Sequence, residues 1–406
     1  MGNTFKTAQL VIDTLAMELY NEMRLAKLVR RYSPQDYFMK GVAAPGPTID
    51  VPMPIRYLAA AGPAINRQNI VETTKPVTLD QDFNIALDME VFDASVNTKE
   101  QITAMSSKYL KPAARALADT VDDYLAGLAL KLHNTAGAAG TTPGTGTAAA
   151  TQLIFAAAEA HMARAGVSEG ERRFCVLDPA AAGSVPVALS GLFVREAQEA
   201  VTKGKLGHVV GFDLYRSNNM RYHTAGTLGA GAVTNGVDQT GETININGLD
   251  GGDSLLEGDI ITFGALATGP CAVNVQNKRA FQALQQFRVI ATATEAGGAM
   301  AVRVWPNVIT SGAYQTVSKA VTNGLAVTKV ASHQTNMALV EDTLCLATCK
   351  LKAPASAVIG VTSTYEGLSL LLTAAYDVES RMETARVDIV FGGREMYPET
   401  GVRILG

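Results

Sequence analysis

Residues 77–92, VTLDQDFNIALDMEVF, alternate between apolar and polar side chains for longer than an ordinary strand lasts. Val77, Leu79, Phe83, Ile85, Leu87, Met89 and Val91 share one parity; Asp80, Asp82, Asn84, Asp88 and Glu90 share the other. Alternation with a period of two marks an extended strand with one covered face. At about 3.3 Å per residue the run spans about 50 Å, against a usual strand of about five or six residues. Residues 48–57, TIDVPMPIRY, alternate in the same way, with Ile49, Val51, Met53, Ile55 and Tyr57 on one face. Thr48, Asp50, Pro52, Pro54 and Arg56 fall on the other. The prolines have no N–H for a ladder, which confines this strand to an edge.

Together the two runs predict a long two-stranded arm. An isolated ribbon is marginal in water, so the arm needs a surface to lie on, and it looks too long to serve its own chain. Asp50, Arg56, Asp80, Asp82, Asp88 and Glu90 are therefore the candidate intersubunit contacts. The plain alternative for the same acids is a solvated face.

Helical spacing appears on either side of the arm. Leu10, Leu15, Leu19, Met23 and Leu28 predict an amphipathic helix over 7–31, ended by Ser33-Pro34. Residues 98–134 predict one helix of about 50 Å, capped by Thr98 and kinked at Pro112. A small-residue loop at 136–151 and a helix at 151–165 come next. RRFCVLDP (172–179) is a short apolar strand, followed by helical patterns over about 180–200. From 222 to 332 the texture changes to Gly, Thr, Asn and Val. Short strands are expected at 242–247, 259–263, 272–275, 287–293 and 300–304, separated by Asn-Gly and Gly-Gly turns, which suggests a small inserted β-barrel or sandwich. Alternation returns at 343–350, 368–376 and 386–391, and the chain closes on GVRIL.

No chemistry-bearing motif stands out. The five histidines form no metal-ligand spacing, and each is expected to be structural. GTLGAGAVTNG (226–236) lacks the helix and the Lys-Ser/Thr of a phosphate loop. The carboxylates of NGLDGGDSLLEGD (247–259) depart from calcium-loop spacing and suit turns. There is no GxSxG. No catalytic, cofactor-binding or metal-binding residues are therefore expected. GHVVGFDLYRSNNM (207–220) looks at first like a ligand loop. Its residues suit a short strand, Val209–Tyr215, in which Gly211 bulges or allows close approach. Gly211 and Asp213 are thus expected to hold a domain junction, at the doorway to the 222–332 segment.

Composition narrows the function. Apolar residues are 47% and charged residues 18%, and 34 basic against 38 acidic residues leave a net charge of −4. No basic run exceeds a pair, whereas tight nucleic-acid binding needs a concentrated stripe. No apolar stretch is long enough to span a membrane. The four cysteines are scattered, which suits a reduced, cytoplasmic setting.

The order of elements, with VVGFDLYRSNNM (209–220), LLEGDIITFGAL (255–266), SHQTNMALVEDTL (332–344) and RVDIVFGGREMYPETGVRIL (386–405), resembles the major capsid proteins of tailed double-stranded DNA phages. These have the Hong Kong 97-type capsid fold, and the podovirus-type coat proteins with an inserted β-barrel are the most similar. The resemblance implies an α+β fold divided into an N-terminal arm helix (1–35), an extended β-hairpin loop (41–92), a peripheral domain with the spine helix (93–149), an axial domain (150–221), an inserted barrel (222–332) and a second axial and peripheral part (333–406). It implies a structural, non-enzymatic subunit that self-assembles through hexamers and pentamers into an icosahedral shell around phage DNA. A separate scaffolding protein and a portal would be partners, without sequence-specific DNA binding or a membrane. Assembly would take place in the host cytoplasm and the product would be the virion capsid. Two alternatives stay open: a nanocompartment shell of the same fold, which would copurify with cargo, and an α/β enzyme with a β-rich lid, which needs a pocket of convergent polar groups.

Overall fold

The computed structural model describes residues 5–32, 48–59, 62, 67, 72–90, 111–189, 207–354, 359–377 and 382–406. Helix α1 (Phe5–Glu22) leads through a 3-10 turn at Leu25–Lys27 into β1 (Arg30–Tyr32). Next come β2 (Thr48–Pro52), β3 (Thr74–Thr78), β4 (Gln81–Glu90), α2 (Lys111–Gly127), β5 (Asn134–Ala136), α3 (Ala148–Arg164), β6 (Arg173–Leu177) and α4 (Pro179–Leu189). A run of short strands follows: β7 (His208–Val209), β8 (Phe212–Arg216), β9 (Tyr222–His223), β10 (Val233–Thr234), β11 (Gly241–Asn247), β12 (Ser254–Leu255), β13 (Ile260–Phe263), β14 (Cys271–Val273), β15 (Ala280–Leu284), β16 (Phe287–Val289) and β17 (Ala293–Thr294). The chain closes with β18 (Ala299–Val308), β19 (Val327–Lys329), β20 (His333–Val340), β21 (Leu344–Thr348), β22 (Ile359–Tyr365), β23 (Leu368–Asp377), β24 (Met382–Glu395) and β25 (Val402–Leu405).

These elements form two compact units. The first takes Met1–Met53, Thr74–Leu125 and Leu344–Arg394; the second takes Pro54–Thr73, Ala126–Thr343 and Glu395–Gly406. The stretch after 333 is thus shared between them, and 222–332 falls in the same unit as the segment before it.

In the first unit a sheet runs β1-β21-β24-β23-β22, with β4 also on β24. α1 buries Ile12, Leu15, Ala16 and Leu19, the helical spacing of one apolar stripe, and packs on β22 and β23. The helix stops at Glu22, well short of residue 31. The reason lies in α2: the Asp122 carboxylate accepts hydrogen bonds from the backbone N–H of Arg24 at 2.6 Å and of Ala26 at 3.0 Å. A carboxylate that claims those donors offers the chain a turn in place of another helical ladder. Asp122 is buried, and that burial raises its pKa, against the backbone bonds that lower it. Asp122→Ala is expected to cost about 1–3 kcal/mol, the penalty of leaving buried donors unpaired. A urea titration of the variant against the parent measures it, and an unchanged midpoint would mean that the turn holds itself.

The long alternating run is two strands, not one. β3 pairs with β2, from Thr48↔Thr78 to Pro52↔Thr74, whereas β4 pairs with β24, from Gln81↔Phe391 to Glu90↔Met382. The break falls where Thr78 and Leu79 cross Gly392 so closely that a Cβ there would meet the Thr78 oxygen at 1.9 Å. The expected free-standing arm therefore reduces to a short β2–β3 hairpin, and the longer half serves its own chain's sheet. Of the long helix, residues 98–110 lie outside the described residues. Pro112 stands in the first described turn of α2, and the helix ends at Gly127 in a 3-10 turn, Leu128–Lys131, not at 134.

In the second unit a seven-stranded sheet has the path β5-β25-β20-β6-β8-β7, with β9 also on β20. α3 and α4 cover it around Phe155, Met162, Leu177, Val185, Phe212, Val340 and Ile404. Thr147 caps α3 by accepting the Ala150 N–H at 3.2 Å. A second, six-stranded sheet follows the path β10-β11-β18-β16-β13-β19. Its two edges join: Thr234 N–H bonds the Leu325 carbonyl, and Val327 N–H the Ala232 carbonyl, both at 2.9 Å. The sheet thus closes on itself. Closure leaves no edge exposed and surrounds Ile244, Ile246, Phe263, Phe287, Val302 and Val304.

Candidate functional site

Two places hold the residues that the sequence singles out. The first is β4 with the β2–β3 hairpin. Ile49, Val51 and Val77 turn inward, and Asp50 turns to solvent. β4 gives one side of its backbone to β24. Asp80, Asp82, Asn84 and Ala86 are exposed, and Phe83, itself 36% exposed, stacks on Phe391 at 5.7 Å. Asp88 and Glu90 lie further along the strand, in register with Thr384 and Met382; their side chains lie outside the described residues. Arg56 does not join this group. It belongs to the second unit, is half-buried, and its guanidinium meets Glu399 at 2.6 Å. Its charge is thus engaged within its own chain.

The second place is the stretch 207–220. Here the structure corrects the expected single strand. β7 and β8 form a hairpin in register Val209↔Phe212, and Val210 and Gly211 both have positive φ, 45° and 79°. Positive φ at both central residues is the two-residue turn whose twist matches the flanking strands. Gly211 is therefore a turn residue, not a bulge. The strand faces are as expected, with Phe212 and Leu214 buried. Asp213 fastens this hairpin, lying 3.0 Å from His208 Nδ1 and 3.4 Å from Arg172.

The junction itself is built by residues that sequence reasoning left aside. β9 and β20 carry the chain into and out of the closed sheet, paired His223↔His333 and Tyr222↔Gln334. Asp259, fully buried, accepts from His223 Nε2 at 2.8 Å, from Gly226 N–H at 3.1 Å and from Leu256 N–H at 2.8 Å. Arg403 of β25 is also fully buried. It donates to the carbonyls of Gly258 at 2.9 Å, Leu130 at 2.7 Å and Leu132 at 3.0 Å. It thereby ties β25, the turn before β13 and the chain that follows α2. Burial pushes its guanidinium down to about 9, with the nearby Arg288 adding to the effect, so it stays charged at neutral pH. The one signal for it is an arginine amid the apolar closing GVRIL. No such signal marks Asp259, since an aspartate after glycine suits an ordinary turn.

Among the described residues no group of three or more His, Cys, Asp or Glu is placed to hold a metal, and no described helix is long and apolar enough to cross a membrane. The constellation is one of architecture: buried ties within the second unit, exposed edge and hairpin in the first.

A family model described as "P22 coat protein - gene protein 5" matches residues 2–406. The chain belongs to the P22 coat protein family. The coat protein is accordingly a structural major capsid protein, the subunit of an icosahedral phage shell, and its architecture is α+β, with few helices and many strands. Among solved structures it is similar to a chain of Mycobacterium phage Che8, at 13% identity and a TM-score of 0.47, covering 94% of this chain and 90% of that one. It is also similar to the mature capsid of bacteriophage PhiM1, at 10% identity and a TM-score of 0.45, covering 94% and 86%. A third likeness is to the capsid of Myoviridae phage XM1, at 8% identity and a TM-score of 0.40, covering 94% and 90%. A comparison with the curated proteins gave no match.

Proposed function

We propose that this coat protein self-assembles through hexamers and pentamers into a shell enclosing double-stranded phage DNA, acts without catalysis or cofactor, and uses β4 and the β2–β3 hairpin as a contact surface between copies. The observation that carries the reading is the exposure of β4 in the single chain. A strand of 10 residues, with one ladder filled and Asp82, Phe83, Asn84 and Ala86 still in solvent, is a surface that a second copy can cover by strand addition or face packing. Asp50, Asp80 and Asp82 supply an acidic border for basic groups on a neighbour, and Asp88 and Glu90 are further candidates on the same strand. The formal charge of −4 suits a wall that must not grip the DNA it contains.

In this reading 1–35 is an N-terminal arm, 41–92 an extended loop, 93–149 peripheral, 150–221 axial, 222–332 an inserted barrel, and 333–406 a second part that is both axial and peripheral. A separate scaffolding protein and a portal complete the assembly, which takes place in the host cytoplasm.

The double variant Asp80→Lys, Asp82→Lys tests the surface. Both residues are exposed, so the monomer is expected to keep its stability within about 0.5 kcal/mol, while the yield of shells in electron micrographs and on a sizing column drops severalfold. Shells in normal yield would remove β4 from the interface.

A further inference from the structure

All five histidines, His133, His161, His208, His223 and His333, lie in the second unit, and the first unit has none. Three of them stand where the closed sheet meets the rest of that unit. The register of β9 and β20 sets His223 opposite His333, with ring centroids 5.5 Å apart. His333 is 1% exposed. Its Nδ1 lies 2.8 Å from the Ala331 carbonyl. A carbonyl only accepts, so Nδ1 carries the proton and Nε2 is a bare lone pair. That Nε2 is buried with no hydrogen-bond partner. His133, at the other end of the seam, packs edge-on against Trp305 of β18 with centroids 4.8 Å apart. It too is buried, with an unpartnered Nδ1. A cavity of about 150 Å³, lined by His133, Asn134, His161, Gln285, Trp305 and Glu399 among others, reaches this place.

The charges around the seam do not welcome a proton. His333 faces His223, Asp259 and Arg403. His133 faces His161, Arg288 and Arg403. Arg288 stands 4.0 Å from Glu395, which Lys131 approaches to 3.5 Å. The carboxylates near the seam are thus already engaged, Asp259 by His223 and backbone donors, Glu395 by two cations and Glu399 by Arg56. An imidazolium formed here would be a further buried cation beside Arg403 and Arg288.

We propose that this seam is an acid-sensitive latch: protonation of His333 and His133 releases the closed sheet from the seven-stranded sheet while the first unit keeps its fold. Burial is the main cause that holds His333 down to about 4 and His133 down to about 3, from an ordinary 6.5. Docked, both stay neutral; opened to water, both take a proton near 6.5. The latch is therefore strongest above 6.5 and weakens as pH falls towards the docked values. At about pH 5, linkage through His333 alone multiplies the open-to-docked ratio roughly thirtyfold, and His133 multiplies it further, so thirtyfold is the least expected change.

Trp305 is the only tryptophan and sits on the seam, so its emission reports docking. The full chain is followed by intrinsic fluorescence from about pH 7.5 to 4.5, with amide exchange in parallel. The expected result is a red shift with a midpoint between about 4 and 6.5. Protection in residues 299–308 should fall at least roughly thirtyfold by about pH 5, while residues 359–377 stay protected. The double variant His333→Asn, His133→Phe keeps a donor for the Ala331 carbonyl and a ring against Trp305 but cannot titrate. Its midpoint is expected at least about one pH unit lower. A flat emission profile, an unmoved midpoint in the variant, or loss of protection in 359–377 at the same pH would overturn the latch. Should the variant fail to fold at neutral pH, the exchange pattern of the parent chain decides alone.

Discussion

Arg403→Ala is expected to unfold much of the second unit, at a cost of about 3–5 kcal/mol. The side chain is fully buried and satisfies three carbonyls, those of Gly258, Leu130 and Leu132. Truncation leaves these acceptors dry and opens a cavity the size of the lost side chain, and the two costs add. Marginal stability of about 5–15 kcal/mol leaves little room for such a loss. Two controls separate the causes. Arg403→Met restores most of the volume and none of the hydrogen bonds, so it recovers only the cavity part. Arg403→Lys keeps the charge but replaces a planar fork by a point donor, and cannot reach all three carbonyls at once. The urea midpoint of the Trp305 signal orders the series as parent, then lysine, then methionine, then alanine. A methionine variant as stable as the parent would show that Arg403 acts as filler, not as a tie.

Gly392→Ala is expected to dislodge β4 and with it the proposed assembly surface. An added Cβ would lie 1.9 Å from the Thr78 oxygen and 2.8 Å from its carbonyl carbon. Both are backbone atoms, so no rotamer relieves the clash and the crossing chain must move. Overpacking of this kind costs about 1–3 kcal/mol even where flexible side chains yield. Here the displaced segment links β3 to β4, and the register Gln81↔Phe391 begins two residues away. The thermal midpoint should fall by several degrees, and shells should be nearly absent from micrographs. Gly393→Ala, whose Cβ meets the Cys345 oxygen and Tyr124 at 3.0 Å, is the milder comparison. Equal shell yields from the parent and Gly392→Ala would mean that the crossing is not held where the structure places it.

Both residues show why parts of the molecule could be read in advance and others could not. α3 and β11 follow from periodicity, because one face of each packs on a core and the spacing records that face, whereas β6 follows from a short continuous apolar run that is buried on both faces. Thr147 before α3 is a capping signal of the same local kind. The site was harder. Asp82 and Phe83 alternate as a strand should, and the structure leaves both exposed on β4. Yet the pattern that marks β4 runs without a seam into the one that marks β3, and it does not disclose that they pair with different partners. Asp213 shows the opposite case. A polar residue in a conspicuous glycine-containing stretch fastens the β7–β8 hairpin, while the buried carboxylate that ties β9 to the turn before β13 is Asp259, an unremarkable turn aspartate in sequence.

Local pattern alone determined that this chain is an α+β protein with short strands through 222–332 and an extended, partly acidic run near residue 80. Period and turn chemistry depend only on neighbours within a few residues, so they survive in one dimension. Tertiary structure decided where α1 stops, where the alternating run breaks and what holds the closed sheet in place. Each of those is settled by a group distant in sequence: Asp122 for the backbone at 24–26, Gly392 for Thr78, Arg403 for the carbonyls of 130, 132 and 258. A buried polar group must find its partner wherever the fold brings one. That pairing is a property of the packed chain, not of any segment within it.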